Sequence, residues 1–207
     1  MIDDLVNDLK PVTPLRPRQA VLGVMLVFLV AIAVVAGVYG LRPDVMAGRP
    51  HPMVMMRGGM LLLLGGATLG AAVRSARPSV GGESRGWLGV VAAAMLFPAT
   101  AATLFLIDGR MPVGEVMSAS APYCLGISGA TGLVIGAVLT LWLRQGAPTD
   151  LRQTGWLVGI ASGSFGTCAY SLHCPDLSLY YVGLWYTLAV GLCALGGRLI
   201  VPRLVRW

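Results

Sequence analysis

Residues 20–41 read AVLGVMLVFLVAIAVVAGVYGL and contain no charged side chain. A run of this length matches the roughly 20 residues that an α-helix needs to cross about 30 Å of hydrocarbon. Five further apolar segments follow along the chain, at 53–73, 87–107, 124–143, 154–172 and 179–197. A lone segment in lipid must satisfy its backbone hydrogen bonds internally, so each segment is predicted to be a helix. The sequence therefore predicts an all-α membrane protein, with a six-transmembrane-helix bundle over residues 20–207.

The composition excludes several classes of soluble protein. Of the 207 residues, 56% are hydrophobic and only 12% are charged, whereas a soluble domain has about 25% charged residues. A cytosolic enzyme, a secreted domain and a disordered chain do not fit these values. The net charge of +6 does not indicate nucleic-acid binding, because the arginines cluster at the ends of apolar runs. We also find no nucleotide-hydrolysis motif and no nucleophile–base pair, and we expect no enzymatic activity.

The orientation of the bundle follows from its Lys and Arg residues, which favour the cytoplasmic side. Eleven of the 15 lie in the N-terminal segment, the second and fourth loops and the C-terminal end: Lys10, Arg16, Arg18, Arg74, Arg77, Arg85, Arg144, Arg152, Arg198, Arg203 and Arg206. The other four are Arg42, Arg49, Arg57 and Arg110. This distribution predicts that both termini are cytoplasmic and that the loops at 42–52, 108–123 and 173–178 face outward.

Residues 1–19 are predicted to form a cytoplasmic tail with a short amphipathic helix. Its apolar stripe consists of Ile2, Leu5, Val6 and Leu9, and its acidic face consists of Asp3, Asp4 and Asp8. Pro11 ends the helix, and Pro14 and Pro17 predict a stiff extended spacer. The stripe either lies on the membrane surface or folds into a hydrophobic groove on a basic cytoplasmic partner. The acidic face favours the partner, because helices on the membrane surface usually have basic polar faces.

Two cysteines and both histidines map to the outer side. They are Cys124, Cys174, His51 and His173. The outer compartment permits disulfides, and thiolate with imidazole is a soft-metal ligand set. Three interpretations stay open: a packed loop, a redox-active pair of Cys124 and Cys174, and a metal site that these four residues form. Cys193 is predicted to be an ordinary packing residue.

The spans also contain one arginine and several spaced glycines. Arg57 lies about one turn inside the second span, and it is predicted to extend to the outer surface or to pair with Asp108 or Asp44. The glycines of 66–70, 132–136 and 155–163 recur every fourth residue, a spacing that lets helix backbones approach closely. This predicts packing within the bundle, and a homodimer face is the alternative. Pro98 is predicted to kink the third span.

Several motifs together resemble one known family. Asp-Leu-Lys-Pro-Val at 8–12 and Pro-Leu-Arg-Pro at 14–17 precede the first span, and Arg-Gln-Gly-Ala-Pro-Thr at 144–149 precedes the fifth. Leu-His-Cys-Pro at 172–175 is followed by Leu-Trp-Tyr-Thr-Leu at 184–188. In order and spacing, these motifs resemble the NrsF family, the negative regulators of sigma F, along the whole chain.

The resemblance implies a function for the bundle and its tail. Members of that family are six-span anti-sigma factors of the bacterial inner membrane. Such a protein would hold an extracytoplasmic-function (ECF) sigma factor inactive until heavy-metal or oxidative stress releases it, and the family's two periplasmic sensor cysteines match Cys124 and Cys174. The expected partners are an ECF sigma factor and membrane lipid, with no direct nucleic acid and no cofactor beyond a soft metal ion as signal. The alternatives are a small transporter or efflux component for metals or lipids, and a membrane enzyme or assembly factor that handles thiols.

Overall fold

The computed structural model describes residues 16–76, 86–109 and 113–205, and within these ranges all regular secondary structure is helical. Seven helices are labelled here: α1 (Pro17–Tyr39), α2 (Pro52–Ser75), α3 (Gly86–Ala94), α4 (Leu96–Asp108), α5 (Ala121–Leu143), α6 (Leu151–Ser171) and α7 (Leu179–Val205). Single helical turns also occur at Pro43–Met46 and Val113–Val116. The all-α prediction is therefore confirmed for the described residues.

Four of these helices are long and apolar enough to cross a membrane: α1, α2, α5 and α7. Large apolar side chains such as Leu22, Leu26 and Leu29 of α1 are more than 60% exposed, which suits a surface that faces lipid rather than water. The four helices indicate insertion into a membrane. The six-span prediction is not confirmed, and the third and fifth predicted spans differ from the other four.

The third predicted span, 87–107, is divided into α3 and α4. The division lies at Met95, between the end of α3 at Ala94 and the start of α4 at Leu96. Pro98 has no backbone N–H to donate to the carbonyl of Ala94, and its ring crowds that carbonyl. The predicted kink at Pro98 therefore occurs as a break between two shorter helices.

The fifth predicted span is the central helix α6. It makes its most extensive contacts with α7, α5 and α2, and nearly every residue from Thr154 to Ser171 is buried. Ser162, Ser164 and Thr167 are among these buried residues, and glycines recur between them. A helix that other helices surround needs small side chains more than apolar ones, which explains why α6 is less apolar than its neighbours.

Glycines set the distance between α6 and α7. A Cβ added at Gly155 would lie 2.7 Å from the carbonyl oxygen of Gly197, and one at Gly159 would overlap the carbonyl oxygen of Cys193. The predicted packing within the bundle is thus confirmed for the 155–163 glycines. In contrast, a Cβ at Gly66 would meet no atom within 4 Å among the described residues, so a homodimer face stays a prediction there.

The loops of the described residues lie at two ends of the bundle, and which end is cytoplasmic stays a prediction. At one end, here called the Cys174 end, the segments after α1, before α5 and after α6 contact one another. At the other, here called the Arg152 end, Ala147 donates its backbone N–H to Ala76 and Ser75 contacts Thr154. The helix α1 begins at Pro17, so the predicted extended spacer is wrong at that residue. Proline is favoured in the first turn of a helix because the N–H it lacks would be unpaired there.

Candidate functional site

The loop that joins α6 to α7 is held by an arginine from α2. Arg57 is 1% exposed, and its Nη1 donates to the backbone carbonyl of Asp176 at 2.6 Å. Its Nη2 donates to the carbonyls of Ser171, at 2.8 Å, and Cys174, at 3.0 Å. The guanidinium also lies over the ring of Tyr186, 5.6 Å from its centre. Because the last carbonyls of a helix have no partner within it, this buried cation satisfies the end of α6 and the loop together.

The prediction that Arg57 extends to the outer surface is therefore wrong. The loop turns back over the start of α2 and supplies three carbonyl oxygens, which replace the hydration that a surface position would offer. An ion pair with Asp44 is also excluded, because the carboxylate of Asp44 binds Arg42 instead. The side chain of Asp108 lies outside what the structure describes.

Arg42, just after α1, holds the same loop from a second side. Its Nη1 donates to the carbonyls of Cys174, at 2.9 Å, and Pro175, at 2.8 Å. Its Nε donates to Asp44 Oδ1 at 2.9 Å. This hydrogen bond, more than any other contact, lowers the pKa of Asp44 from 3.8 to about 2. Asp44 is thus ionised at neutral pH and helps to fix Arg42 against the loop.

His173 provides a further link between the loop and the end of α1. Its Nδ1 lies 2.9 Å from the carbonyl oxygen of Gly40 and donates to it, because a carbonyl can only accept. The imidazole ring packs against Tyr39 and Tyr170, with ring centres 5.5 and 5.8 Å apart. Two side chains therefore join the loop to the end of α1. His173 belongs to the loop, and Arg42 belongs to the segment that follows α1.

The carboxylate of Asp176 connects the loop to the turn before α5. It accepts hydrogen bonds from Ser118 Oγ, at 3.0 Å, and from Ser120 Oγ. The Ser120 hydroxyl also lies 3.2 Å from the Tyr181 hydroxyl, within hydrogen-bond distance. Since Cys124 lies one turn further along α5, these contacts bring its helix end to the Cys174 loop.

The two predicted sensor cysteines lie in the same buried region. Cys124 and Cys174 are free thiols, each 0% exposed, and they belong to the same cluster of buried side chains. The hydroxyl of Tyr181 lies beside Cys124, and that of Tyr186 lies beside Cys174. The Tyr186 hydroxyl is buried and has no hydrogen-bond partner of good geometry within the described chain. Buried thiols react slowly, so a reagent reaches these two only after the surrounding loops open.

The predicted metal ligands have separate local roles. His51 precedes α2 and accepts the backbone N–H of Met53 at 3.2 Å, whereas His173 binds Gly40. In the part of the chain that the structure describes, no group of three or more His, Cys, Asp or Glu side chains has a geometry that could hold a metal ion. The metal site of Cys124, Cys174, His173 and His51 stays a prediction.

The other two cysteines lie within helices. Cys168 is 4% exposed, and its Sγ lies 3.8 Å from the carbonyl oxygen of Gly58. Cys193 lies where α7 approaches α6, beside Gly159 and Gly163. This position agrees with its predicted role as a packing residue.

Sequence reasoning missed several residues of the site. No spacing motif in the sequence identifies the roles of Arg42, Asp176 and Tyr186, because these roles depend on where the loops lie. Arg57 did carry a signal, because an ionisable residue inside a span is usually functional. The predicted partner-binding residues Ile2, Asp3, Asp4, Leu5, Val6, Asp8 and Leu9 lie outside the described residues.

Comparison with known proteins assigns the family. A family model described as the negative regulator of sigma F, NrsF, matches residues 5–207. The anti-sigma-F factor NrsF of Caulobacter vibrioides is 30% identical, over 99% of this chain and 99% of its own length. The probable anti-sigma-F factor NrsF of Azospira oryzae is 26% identical, over 75% of this chain and 73% of its own length. No solved structure matches the chain significantly. With a match along nearly its entire length, the chain belongs to the NrsF family, the negative regulators of sigma F.

Proposed function

We propose that this chain is an anti-sigma factor of the bacterial inner membrane that holds an ECF sigma factor inactive. Heavy-metal or oxidative stress at the outer face would release the sigma factor. Family membership supports the regulatory role and favours it over a small transporter. The observation that carries the sensing part is the burial of Cys174, within a loop that two arginines hold in place, and of Cys124 at the adjoining end of α5.

The sigma factor binds on the cytoplasmic side, which in this proposal is the Arg152 end. The tail of residues 1–19 folds its apolar stripe into a groove on the sigma factor, while its aspartates face a basic surface. The inner loops at 74–86 and 144–153 support this contact. Both termini are then cytoplasmic, and the Cys174 end faces the periplasm, where disulfides can form.

The resting state is one in which the thiols are shielded. Arg57 and Arg42 both donate to the carbonyl of Cys174, so the loop that covers the thiols is fixed by two cations. An oxidant or a soft metal ion reaches the sulfurs during brief opening of the loop. A bridge between the two sulfurs, or a metal ion that binds them, then stabilises an altered arrangement of loop and helices.

The helix α1 offers a direct route from the thiols to the tail. Arg42 and Gly40, which contact the Cys174 loop, lie just beyond the end of α1 at Tyr39. The other end of α1, at Pro17, leads into the tail that binds the sigma factor. A displaced loop therefore acts on one end of a rigid helix whose other end is connected to the binding segment.

The energy needed for this switch is modest. A signal must bias a two-state protein by about 5 kcal/mol to invert its populations almost completely, and a smaller bias gives a partial response. A disulfide contributes about 2–4 kcal/mol. The cysteine chemistry thus supplies energy of the required order.

Cysteine variants test the sensing part of the proposal. Cys124→Ser and Cys174→Ser should each blunt the response of a sigma-dependent reporter to metal or oxidant, with repression at rest intact. The double variant should respond no worse than either single one, because the same linkage is lost in each case. Cys193→Ser is the matched control and should respond as the wild type does. Normal induction in the double variant would contradict the cysteine mechanism.

A further inference from the structure

We propose that the Arg152 end of the bundle contains a binding site for one anionic phospholipid, with the headgroup and one acyl chain in two adjoining cavities. The headgroup cavity lies away from the Cys174 loop, whereas the acyl-chain cavity reaches Arg57 and Tyr186 beside that loop. The inference depends on the proposed function only in assigning this end to the cytoplasmic leaflet.

The headgroup cavity lies between the start of α6 and the end of α7. It has a volume of about 680 Å³, and Arg152, Arg198 and Arg203 line it. The single carboxylate that lines it, that of Asp150, already accepts the backbone N–H groups of Arg152 and Gln153. Among the described residues none of the three guanidinium groups takes part in an ion pair. The cavity is therefore net positive and open to an anion.

The acyl-chain cavity runs beside α7 from Trp156 to Tyr186 and Arg57. It has a volume of about 470 Å³ and is lined almost entirely by apolar side chains, among them Leu64, Ile160 and Val190. Trp156 lines its end nearest the arginines. The guanidinium of Arg198 lies over the Trp156 ring, 5.3 Å from its centre. This pair is thus the boundary at which the basic cavity meets the apolar one.

The chemistry of the two cavities selects the ligand. A basic cavity alone would fit a free anion or an acidic peptide, and an apolar cavity alone would fit any hydrocarbon. The two together fit a molecule with an anionic head and an apolar tail. Basic pockets between membrane helices on the cytoplasmic side bind the headgroups of anionic lipids in this way, and a tryptophan at the interface is typical of such positions.

Native mass spectrometry of the purified full-length chain in detergent tests the headgroup. The probes are phosphatidylglycerol and phosphatidylcholine with identical acyl chains, added in equal amounts. Phosphatidylglycerol should be retained in preference. The double variant Arg198→Gln, Arg203→Gln should reduce this preference by about 25-fold, because each arginine near an anionic lipid surface contributes about fivefold. Arg49→Gln, an exposed arginine at the opposite end, is the matched control.

A pair of glycine variants tests the acyl-chain cavity. A Cβ at Gly191 or at Gly196 would meet no atom of the described residues within 4 Å, but only Gly191 lines this cavity, while Gly196 lines a different groove. Gly191→Leu should therefore reduce retention of phosphatidylglycerol several-fold, and Gly196→Leu should leave it unchanged. If Gly191→Leu does not fold, the arginine variants, which change exposed side chains, still test whether the site binds an anionic lipid.

Four results would overturn the proposal. They are equal retention of both lipids, unchanged retention by the double arginine variant, displacement of the lipid by inorganic phosphate, and a large gain in lipid binding on removal of residues 1–15. The last would identify the acidic tail as the occupant. No sigma factor is present in this measurement, so its failure is distinguishable from a failure of the proposed regulatory function.

Discussion

Arg57 is a buried cation that backbone carbonyls and an aromatic ring stabilise. Hydrogen bonds to a charged group contribute about 1.5–3 kcal/mol each, and unpaired buried carbonyls cost about 1–3 kcal/mol each. Arg57→Met retains much of the apolar stem but removes every donor. We therefore expect it to lower the free energy of unfolding by about 3 kcal/mol or more.

Thermal unfolding in detergent, followed with a thiol-reactive dye, measures this loss. The same variant should also label Cys174 faster in the folded state, because its loop loses one of its two cations. Arg49→Met, at an exposed arginine between α1 and α2, should leave both measurements unchanged. A wild-type melting temperature for Arg57→Met would show that the arginine is not what secures the loop.

At this scale the sequence indicates which residue is unusual but not what it contacts. Arg57 is identifiable because it is charged inside an apolar run. Its partners are carbonyls from residues more than 100 positions away, and every residue has a carbonyl. The burial of Cys124 and Cys174 together is likewise a property of the assembled loops. Their choice as sensor candidates came from the side of the membrane to which they map and from the family resemblance.

Close backbone packing restricts the geometry of the contact between α6 and α7. A Cβ at Gly159 would overlap the backbone of α7 at Cys193 and Ala194, so Gly159→Ala must push the helices apart. Overpacking of this kind typically costs about 1–3 kcal/mol. We expect a clear fall in the melting temperature.

Gly191→Ala is the matched control on the facing helix. Its Cβ would meet no atom within 4 Å in the part of the chain that the structure describes, and alanine exceeds glycine in helix propensity by about 1 kcal/mol. The melting temperature should stay the same or rise. Equal effects of the two substitutions would contradict the close approach at Gly159.

The helices themselves were predictable to different degrees. The apolar runs identified α1, α2, α5 and α7 because long uninterrupted runs have one stable structure in lipid. Pro98 indicated the break between α3 and α4. The central position of α6 was not predictable, because small and polar residues in a helix identify a crowded neighbourhood only after its neighbours are known. Pro17 was assigned to a spacer, whereas it is the first residue of α1.

The tail is a separate element with a prediction of its own. Leu5→Asp places a charge on the apolar stripe that a groove on the sigma factor must bury, and loss of a central anchor typically costs about 2 kcal/mol or more. It should raise the Kd for the sigma factor at least 30-fold. Asp4→Ala should act more weakly, mostly on the association rate and with strong salt dependence. Binding kinetics at two salt concentrations separate these effects, and an unchanged Kd for Leu5→Asp would exclude the stripe as the contact.

For the whole molecule, the orientation in the membrane can be tested residue by residue. Reporter fusions at residues 80, 148 and 205 should score as cytoplasmic, and fusions at 47, 116 and 176 should score as periplasmic. The basis is the excess of basic residues on one side. A cytoplasmic score at 176 would place Cys174 in a reducing compartment and would remove the basis for redox sensing.

In the proposed function, the assembled chain holds a sigma factor through its tail and releases it on a signal from the opposite end. The most direct measurement is co-purification of the full-length chain from detergent-solubilised membranes, before and after exposure of the cells to metal or oxidant. The expected result is a stoichiometric sigma factor before exposure and its loss afterwards, with retention in the Cys124→Ser, Cys174→Ser double variant. An intact, folded bundle that co-purifies with no sigma factor before exposure would contradict the proposed function.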